Sequence, residues 1–449
     1  MPVLAQIFNH SIVTQEYPLS LKKSYIIPLN KCSLPSSPAD TRPIANLSHL
    51  AKIFDKLITT QIMNHFENNN LLSPYQSGFR SHFSTETALL YLTDIIRNGI
   101  ENGMVTLLQL FDYSKAFDTI KHHALLISLR RLGFSAQALN WIHSYITGRT
   151  QAVVDDEGNR SSFLPVTAGV PQGSSPGPVL FLALINFAPS VLKFCKVPYV
   201  MFADDFQLFV QCPINLLPFA IQHMNEDSNS LSSWSLDMGL TLNPRKIKSI
   251  IFGSSAMLTT ISKMSLPSLH VDGMVIPIEN RVKSLGVILS NDLSWNPHVA
   301  QISSKVHGVL HKLRSKAWLL STEVKTLLVQ SLVNPHIDYA SLIYNDIPNY
   351  LNLKVQRLIN AGIRYIFNLK NDEHITPYRL NLGWLKVENR RRFLLGCLIY
   401  KILKEKRPAY LYDKIVHMFT DVRRSARLQT AKIVIPTSRT TVYKLSFVI

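Results

Sequence analysis

Asp204 and Asp205 sit side by side at the crest of an otherwise apolar stretch, with residues 199–202 before them and 206–210 after. Like charges this close repel, and one of the pair is driven toward its neutral form unless a cation stands between them. Hard carboxylate oxygens suit Mg²⁺. Adjacency alone is a weak signal, because a second pair, Asp155-Asp156, runs on into Glu157-Gly158-Asn159 and reads as a solvated loop. Asp112 is a third candidate, at the end of a run over 106–111 whose apolar character is broken by Gln109. If the two segments are neighbouring strands, the carboxylates form a cluster able to hold two Mg²⁺ ions about 3.5–4 Å apart. That is a clamp for in-line displacement at phosphorus. Asp112 taken by itself serves equally well as a helix cap. Between these groups lies Gly169-Val170-Pro171-Gln172-Gly173-Ser174-Ser175-Pro176-Gly177-Pro178. A glycine-rich turn opening a helix can offer backbone N–H groups to a nucleotide, although an ordinary loop has the same composition.

The elements that must hold these groups follow from pattern. β-branched and aromatic residues flank Asp204-Asp205, which predicts two short strands with the acidic pair at the hairpin turn. After Asp112, Leu125, Leu126, Leu129 and Leu132 recur at helical spacing until Gly133, so strand passes to helix. The chain has 449 residues, 46% of them hydrophobic, enough for a real core divided among two or three subdomains. Its longest apolar run, 179–185, is far too short to cross a bilayer. Four scattered cysteines, Cys32, Cys195, Cys212 and Cys397, contain no Cys-x-x-Cys and point to reduced thiols in an intracellular protein. The formal charge is +18, and residues 301–449 hold 25 Lys and Arg against 9 Asp and Glu. A nearly neutral body joined to a basic module, with Lys312, Arg314, Lys316 and Arg390-Arg391-Arg392 in helix-like text, suggests a polyanion gripped by one lobe. No amphipathic membrane anchor is visible.

Taken in order, the segments resemble the reverse transcriptase domain of non-LTR retrotransposons, in particular the jockey-like elements of insects. The series runs from Ile26-Ile27-Pro28-Leu29 and Asp40-Thr41-Arg42-Pro43-Ile44 through Gln76-Ser77-Gly78-Phe79-Arg80, Ser84-Thr85 and the Asp112 to Asp118 segment. It continues with Gly169-Val170-Pro171-Gln172-Gly173-Ser174, Phe202-Ala203-Asp204-Asp205, Leu242-Asn243-Pro244-Arg245-Lys246 and Ser284-Leu285-Gly286-Val287. The resemblance implies an α+β right-hand polymerase fold. Residues 1–103 would form the N-terminal segment and fingers, and 104–290 an antiparallel-sheet palm with inserted fingers elements. Residues 291–449 would form a basic, mainly helical thumb and C-terminal region. It implies an RNA-directed DNA polymerase that extends a primer 3′-hydroxyl on an RNA template with dNTPs, using two Mg²⁺ ions, with Mn²⁺ as a substitute. Asp112 and Asp204 would be the principal ligands and Asp205 a supporting one. Phe117 would stand as a gate against the ribose 2′-hydroxyl, or is simply a core aromatic. Gln172 and Gly173 would line nucleotide and template, and Arg80 would reach the triphosphate. Lys246 would donate a proton to pyrophosphate, or is a surface lysine. RNA template, DNA primer or target and dNTPs are the expected partners, with no membrane, and nucleus and cytoplasm the expected location.

The segment also departs from the family. Ser174-Ser175-Pro176-Gly177-Pro178 replaces the usual Ser-Val-Leu-Gly-Pro, and Pro176, lacking an N–H, is expected to stiffen the helix start and impair nucleotide handling. Ile247 follows Lys246 in place of Thr or Ser, and Phe111 precedes Asp112 in place of Leu. The chain leaves no room for an upstream endonuclease domain and shows neither a ribonuclease H domain nor a zinc-binding tail. The expectation is therefore a truncated element. The alternative to an active polymerase is a catalytically inactive remnant that only binds nucleic acid.

Overall fold

The structure, a computed structural model, describes residues 2–194, 199–345, 347–416 and the isolated positions 440, 443 and 447. Cys195 and the basic residues beyond Lys414 lie outside the described residues; Cys32, Cys212 and Cys397 are free thiols. At its centre is an antiparallel sheet in the order Lys248–Phe252, Val105–Phe111, Asp205–Cys212, Tyr199–Phe202. Its strands read as nearly continuous apolar runs because both faces are covered. On one face Leu107, Phe206, Leu208 and Met201 join a core with the helices His122–Arg131, Pro176–Ile185 and Leu217–Met238. On the other, Leu108, Phe209, Val200 and Ile250 pack against the helix Thr85–Glu101 and the C-terminal helices. Each strand thus contributes alternate residues to two cores, so helices on both sides fix where its end points.

Asp155-Asp156 is exposed in a turn, with Asp155 accepting from the Asn159 N–H at 2.7 Å, as its polar setting implies. The helix expected after Asp112 forms at His122–Arg131 and stops before Gly133, which takes φ +81°. A second sheet, ordered Thr41–Asn46, Lys23–Asn30, Arg149–Val153, Leu164–Val166, stands beside the first. The C-terminal region is built from long helices, Asn296–Arg314, Asn349–Phe367 and Val387–Glu405. Together these make the mixed α+β architecture expected.

The basic character of that region needs a correction. Arg390 donates two hydrogen bonds to Asp338 from its Nε and Nη2, and Arg391 is buried, donating to Asn352 Oδ1 at 2.8 Å over the Tyr344 ring. Arg392 pairs with Glu388 one helical turn away. Arg390 and Arg391 thus tie this helix to its neighbours, and of the triplet Arg392 alone, paired only along its own helix, stays on the surface. Lys312, Arg314 and Lys316, at the end of the first long helix, are exposed.

Candidate active site

The central sheet brings the carboxylates together by register. Phe111 is opposite Phe206, and Phe202 is opposite Asp205. Asp112 therefore leaves its strand beside the hairpin whose tip carries Ala203 and Asp204. Asp112 does not cap the helix Ala116–Thr119, whose N-cap position is Lys115. A short second pairing, Tyr113 with Leu242 and Ser114 with Thr241, brings the following turn alongside. There the Asn243 N–H donates to the Asp112 carbonyl at 2.9 Å, and Lys246 Nζ lies 3.1 Å from Asp112 Oδ2.

The electrostatics show the strain expected of grouped carboxylates. Lost hydration raises the Asp204 carboxyl above its ordinary range, and the Asp112 charge adds to this while Arg42 opposes it. Asp205 is exposed by surface area, yet the chain packed around it limits the hydration of its carboxylate. Restricted hydration first, then the charges of Asp204 and Asp112, push it up to about 6. Among the described residues no group of three His, Cys, Asp or Glu side chains forms a ready-made metal cage. The all-oxygen, mutually repelling donor set fits a hard divalent cation, with the Lys246 ammonium now serving as the counter-charge of Asp112.

Asp204 opens onto a cleft of about 1360 Å³. Its walls include Lys31, Arg42, Lys115 and Lys246, with Phe117, Asp118, Gln172 and Gly173. Phe117 is half-buried, its ring 4.8 Å from that of Phe181 beneath it, so it is both a wall of the cleft and a piece of core packing. The glycine-rich loop is pinned on two sides. The Gly169 and Val170 N–H groups donate to the Ile120 and Phe117 carbonyls, each at 2.8 Å. The Gln172 carbonyl accepts from the Ala45 N–H at 2.6 Å, binding the loop to the second sheet. Gly173 has φ +105°, and a Cβ there would lie 2.8 Å from the Ala45 oxygen, so this position admits no other residue without movement. Gln172 Nε2 reaches Asp118 Oδ1 at 3.4 Å.

Two expectations are not met. Arg80 is not in the cleft. Its Nε and Nη2 bind Glu67 at 2.7 and 2.9 Å, and its Nη1 donates to the Ser73 and Gln76 carbonyls at 2.8 and 3.1 Å. The guanidinium is 8% exposed and its nitrogens are committed to these protein acceptors. Pro176 does no harm to the helix start, because it is the first residue of the helix Pro176–Ile185, where its missing N–H would have no partner within the helix. Ser174 Oγ accepts from the Gly177 N–H at 3.1 Å and does the work of a cap. What the sequence reading missed is the cationic wall. Arg42 stood in a noted motif, followed by Pro43, which biases it to extended backbone, but nothing local shows that this strand faces Asp204.

Residues 22–289 match the family described as Reverse transcriptase (RNA-dependent DNA polymerase). The chain is 27% identical over 340 residues to the probable RNA-directed DNA polymerase from transposon BS of Drosophila melanogaster, covering 74% of this chain and 36% of that one. It is 26% identical over 353 residues to the polymerase from mobile element jockey of the same organism, covering 76% and 37%. The chain thus spans about a third of the length of the curated relatives it matches. Among solved structures, apo telomerase from Candida tropicalis covers 87% of this chain and 69% of its own, at 11% identity and a TM-score of 0.47, too low to carry weight. The ordered motifs, the antiparallel sheet with its carboxylate-tipped hairpin and the match over residues 22–289 agree, and the chain belongs to the reverse transcriptase family.

Proposed function

We propose that this chain is an RNA-directed DNA polymerase of the non-LTR retrotransposon type, extending a primer 3′-hydroxyl on an RNA template with deoxynucleoside triphosphates. The observation that carries the reading is the register of Phe111 on Phe206, which sets Asp112 beside the Asp204-Asp205 hairpin at the mouth of a cation-lined cleft. Asp112 and Asp204, supported by Asp205, would hold Mg²⁺, or Mn²⁺ in its place. When bound, such ions supply activation of the primer hydroxyl and charge neutralisation on the leaving pyrophosphate.

The remaining roles belong to the chain's own residues. Arg42, Lys31 and Lys115 line the cleft near Asp204 and are the side chains best placed to bind and orient a triphosphate, the part first assigned to Arg80. Phe117, backed by Phe181, presents a rigid ring where a ribose 2′-hydroxyl would meet it. Gln172 and Gly173 offer a wall to base and template. Lys246, highly exposed and paired with Asp112, can turn its ammonium toward the leaving group. Residues 1–103, 104–290 and 291–449 then correspond to fingers, palm and thumb, with template–primer backbone crossing Lys312, Arg314 and Lys316. Placement in nucleus and cytoplasm belongs to the same proposal.

The test is primer extension on an RNA template with Mg²⁺ and dNTPs, comparing the chain with Asp204→Ala. Incorporation abolished by the substitution is expected. Equal incorporation by both would remove the carboxylates from the chemistry. No incorporation by either would leave a protein that only binds nucleic acid.

A further inference from the structure

The tip of the Asp204 hairpin does not support itself. Phe202 pairs directly with Asp205, so the turn consists of Ala203 and Asp204 alone. Ala203 has φ +56°, a left-handed conformation that a residue with a Cβ adopts only when its surroundings enforce it. It is also buried, at 7% exposure, and its N–H and C=O lie beyond the end of the ladder. A buried turn in this state needs both a hydrogen-bond donor and an acceptor from elsewhere.

Gln76 provides both. Its Oε1 accepts from the Ala203 N–H at 3.0 Å, and its Nε2 donates to the Ala203 carbonyl at 3.3 Å. The same Oε1 accepts from the Gly78 N–H at 2.8 Å, which fixes the amide's orientation. The side chain is 1% exposed, so no water competes. Its own segment is held at the sheet edge: the Met201 N–H donates to the Tyr75 carbonyl at 3.0 Å, and the Ser77 N–H to the Met201 carbonyl at 2.8 Å. Gly78 allows the approach, since a Cβ there would fall 2.2 Å from the Ala203 nitrogen.

We propose that Gln76 is a positioning residue for the metal site: its amide locks the Ala203-Asp204 turn and so sets the direction in which the Asp204 carboxylate is presented to a divalent cation. Gln76 touches neither substrate nor carboxylate; it acts through the backbone of the residue before the ligand. The inference rests on reading Asp204 as a ligand. An ordinary core glutamine would spend its bonds anywhere; both arms of this one end on a single strained residue adjoining Asp204.

The experiment uses Gln76→Met in the full chain, which keeps the side chain's volume and removes all three amide bonds, with Gln76→Ala as a second variant. Hydrogen exchange over residues 199–206 reads the turn, electron paramagnetic resonance titration with Mn²⁺ reads the metal site, and thermal unfolding reads the fold. Faster exchange confined to the tip, with Mn²⁺ affinity weakened about ten- to hundred-fold at a temperature where parent and variant are both folded, is expected. Unchanged exchange would overturn the proposal, and so would faster exchange with unchanged Mn²⁺ affinity. A drop in affinity that merely tracks a lowered midpoint would assign Gln76 to the core and overturn it as well. Asp204→Ala runs in parallel: if it leaves Mn²⁺ binding intact, the metal-site reading fails, while tip exchange in Gln76→Met still reports whether the clamp exists.

Discussion

Replacing Arg80 with alanine separates two incompatible jobs for one guanidinium. In the structure Arg80 is 8% exposed and chelates Glu67, itself 14% exposed, while its third nitrogen satisfies two carbonyls and its plane lies 4.1 Å from the Phe83 ring centre. Glu67 also receives Arg407 from the C-terminal region, so the cluster ties the helix His49–Asn68 to a segment about 340 residues away. Removing one partner of a buried pair costs about 3–5 kcal/mol, because the other charge stays buried without its counter-ion. Arg407 still compensates Glu67 in the variant, which places the expected loss at the lower end, about 3 kcal/mol. Burial pushes the Glu67 carboxyl up, but hydrogen bonds and charge from Arg80 and Arg407 outweigh it and hold it below the usual range. A carboxyl lowered by folding adds stability above its unfolded value and loses it as pH falls through the folded one. The gap between parent and Arg80→Ala should therefore narrow in acid. Urea unfolding from neutral pH down to about pH 3 measures the gap, and dNTP titration of primer extension measures KM where both proteins are folded. Lost stability with an unchanged KM is the expected result. A KM raised about ten-fold with no loss of stability would return Arg80 to the triphosphate and refute it.

Three further outcomes follow from the same geometry. Phe117→Ala should raise rNTP use relative to dNTP by an amount equivalent to about 1–3 kcal/mol, read from the ratio of kcat/KM values; unchanged discrimination would make Phe117 core alone. Asp55 is fully buried between the hydroxyls of Tyr17 at 3.0 Å and Tyr145 at 3.3 Å, and burial pushes its carboxyl up to about 6 despite those bonds and the Arg149 charge. Because the folded form holds that proton more tightly than the unfolded chain, stability falls as pH rises from about 4 to about 6. Asp55→Asn should flatten this dependence and stabilise the protein at pH 7 by roughly 3 kcal/mol or less in chemical denaturation; a less stable variant at pH 7 would contradict it. Changing Lys312, Arg314 and Lys316 to glutamine should reduce the slope of log affinity for template–primer against log salt by up to about 0.9 per lost contact, whereas Arg390→Gln should cost stability and leave the slope unchanged.

The carboxylates were legible because their signal is local. A buried sheet needs apolar strands on both faces, so an acidic residue ending one strand and an acidic pair interrupting another stand out against their neighbours. The hairpin, the strand ending at Phe111 and the helix ending before Gly133 follow from the same local rules of alternation and helical spacing. Arg80 was misread because its sequence neighbours say nothing about Glu67, which lies 13 residues earlier on a different element. An arginine's chemistry suits a buried carboxylate and a bound phosphate equally well, and only packing decides between them. Arg42 was passed over for the converse reason: an exposed strand residue acquires meaning when a second sheet turns it toward Asp204. Gln76 shows the limit most clearly, since its two bonds reach a residue 127 positions away. Groups that react in such a site betray themselves by resisting burial, but groups that aim them are neutral amides and glycines with no such cost to display. Acidic residues that end or interrupt apolar strands are therefore readable from one chain, while the residues that bond to the turns carrying them emerge only when the strands are laid side by side.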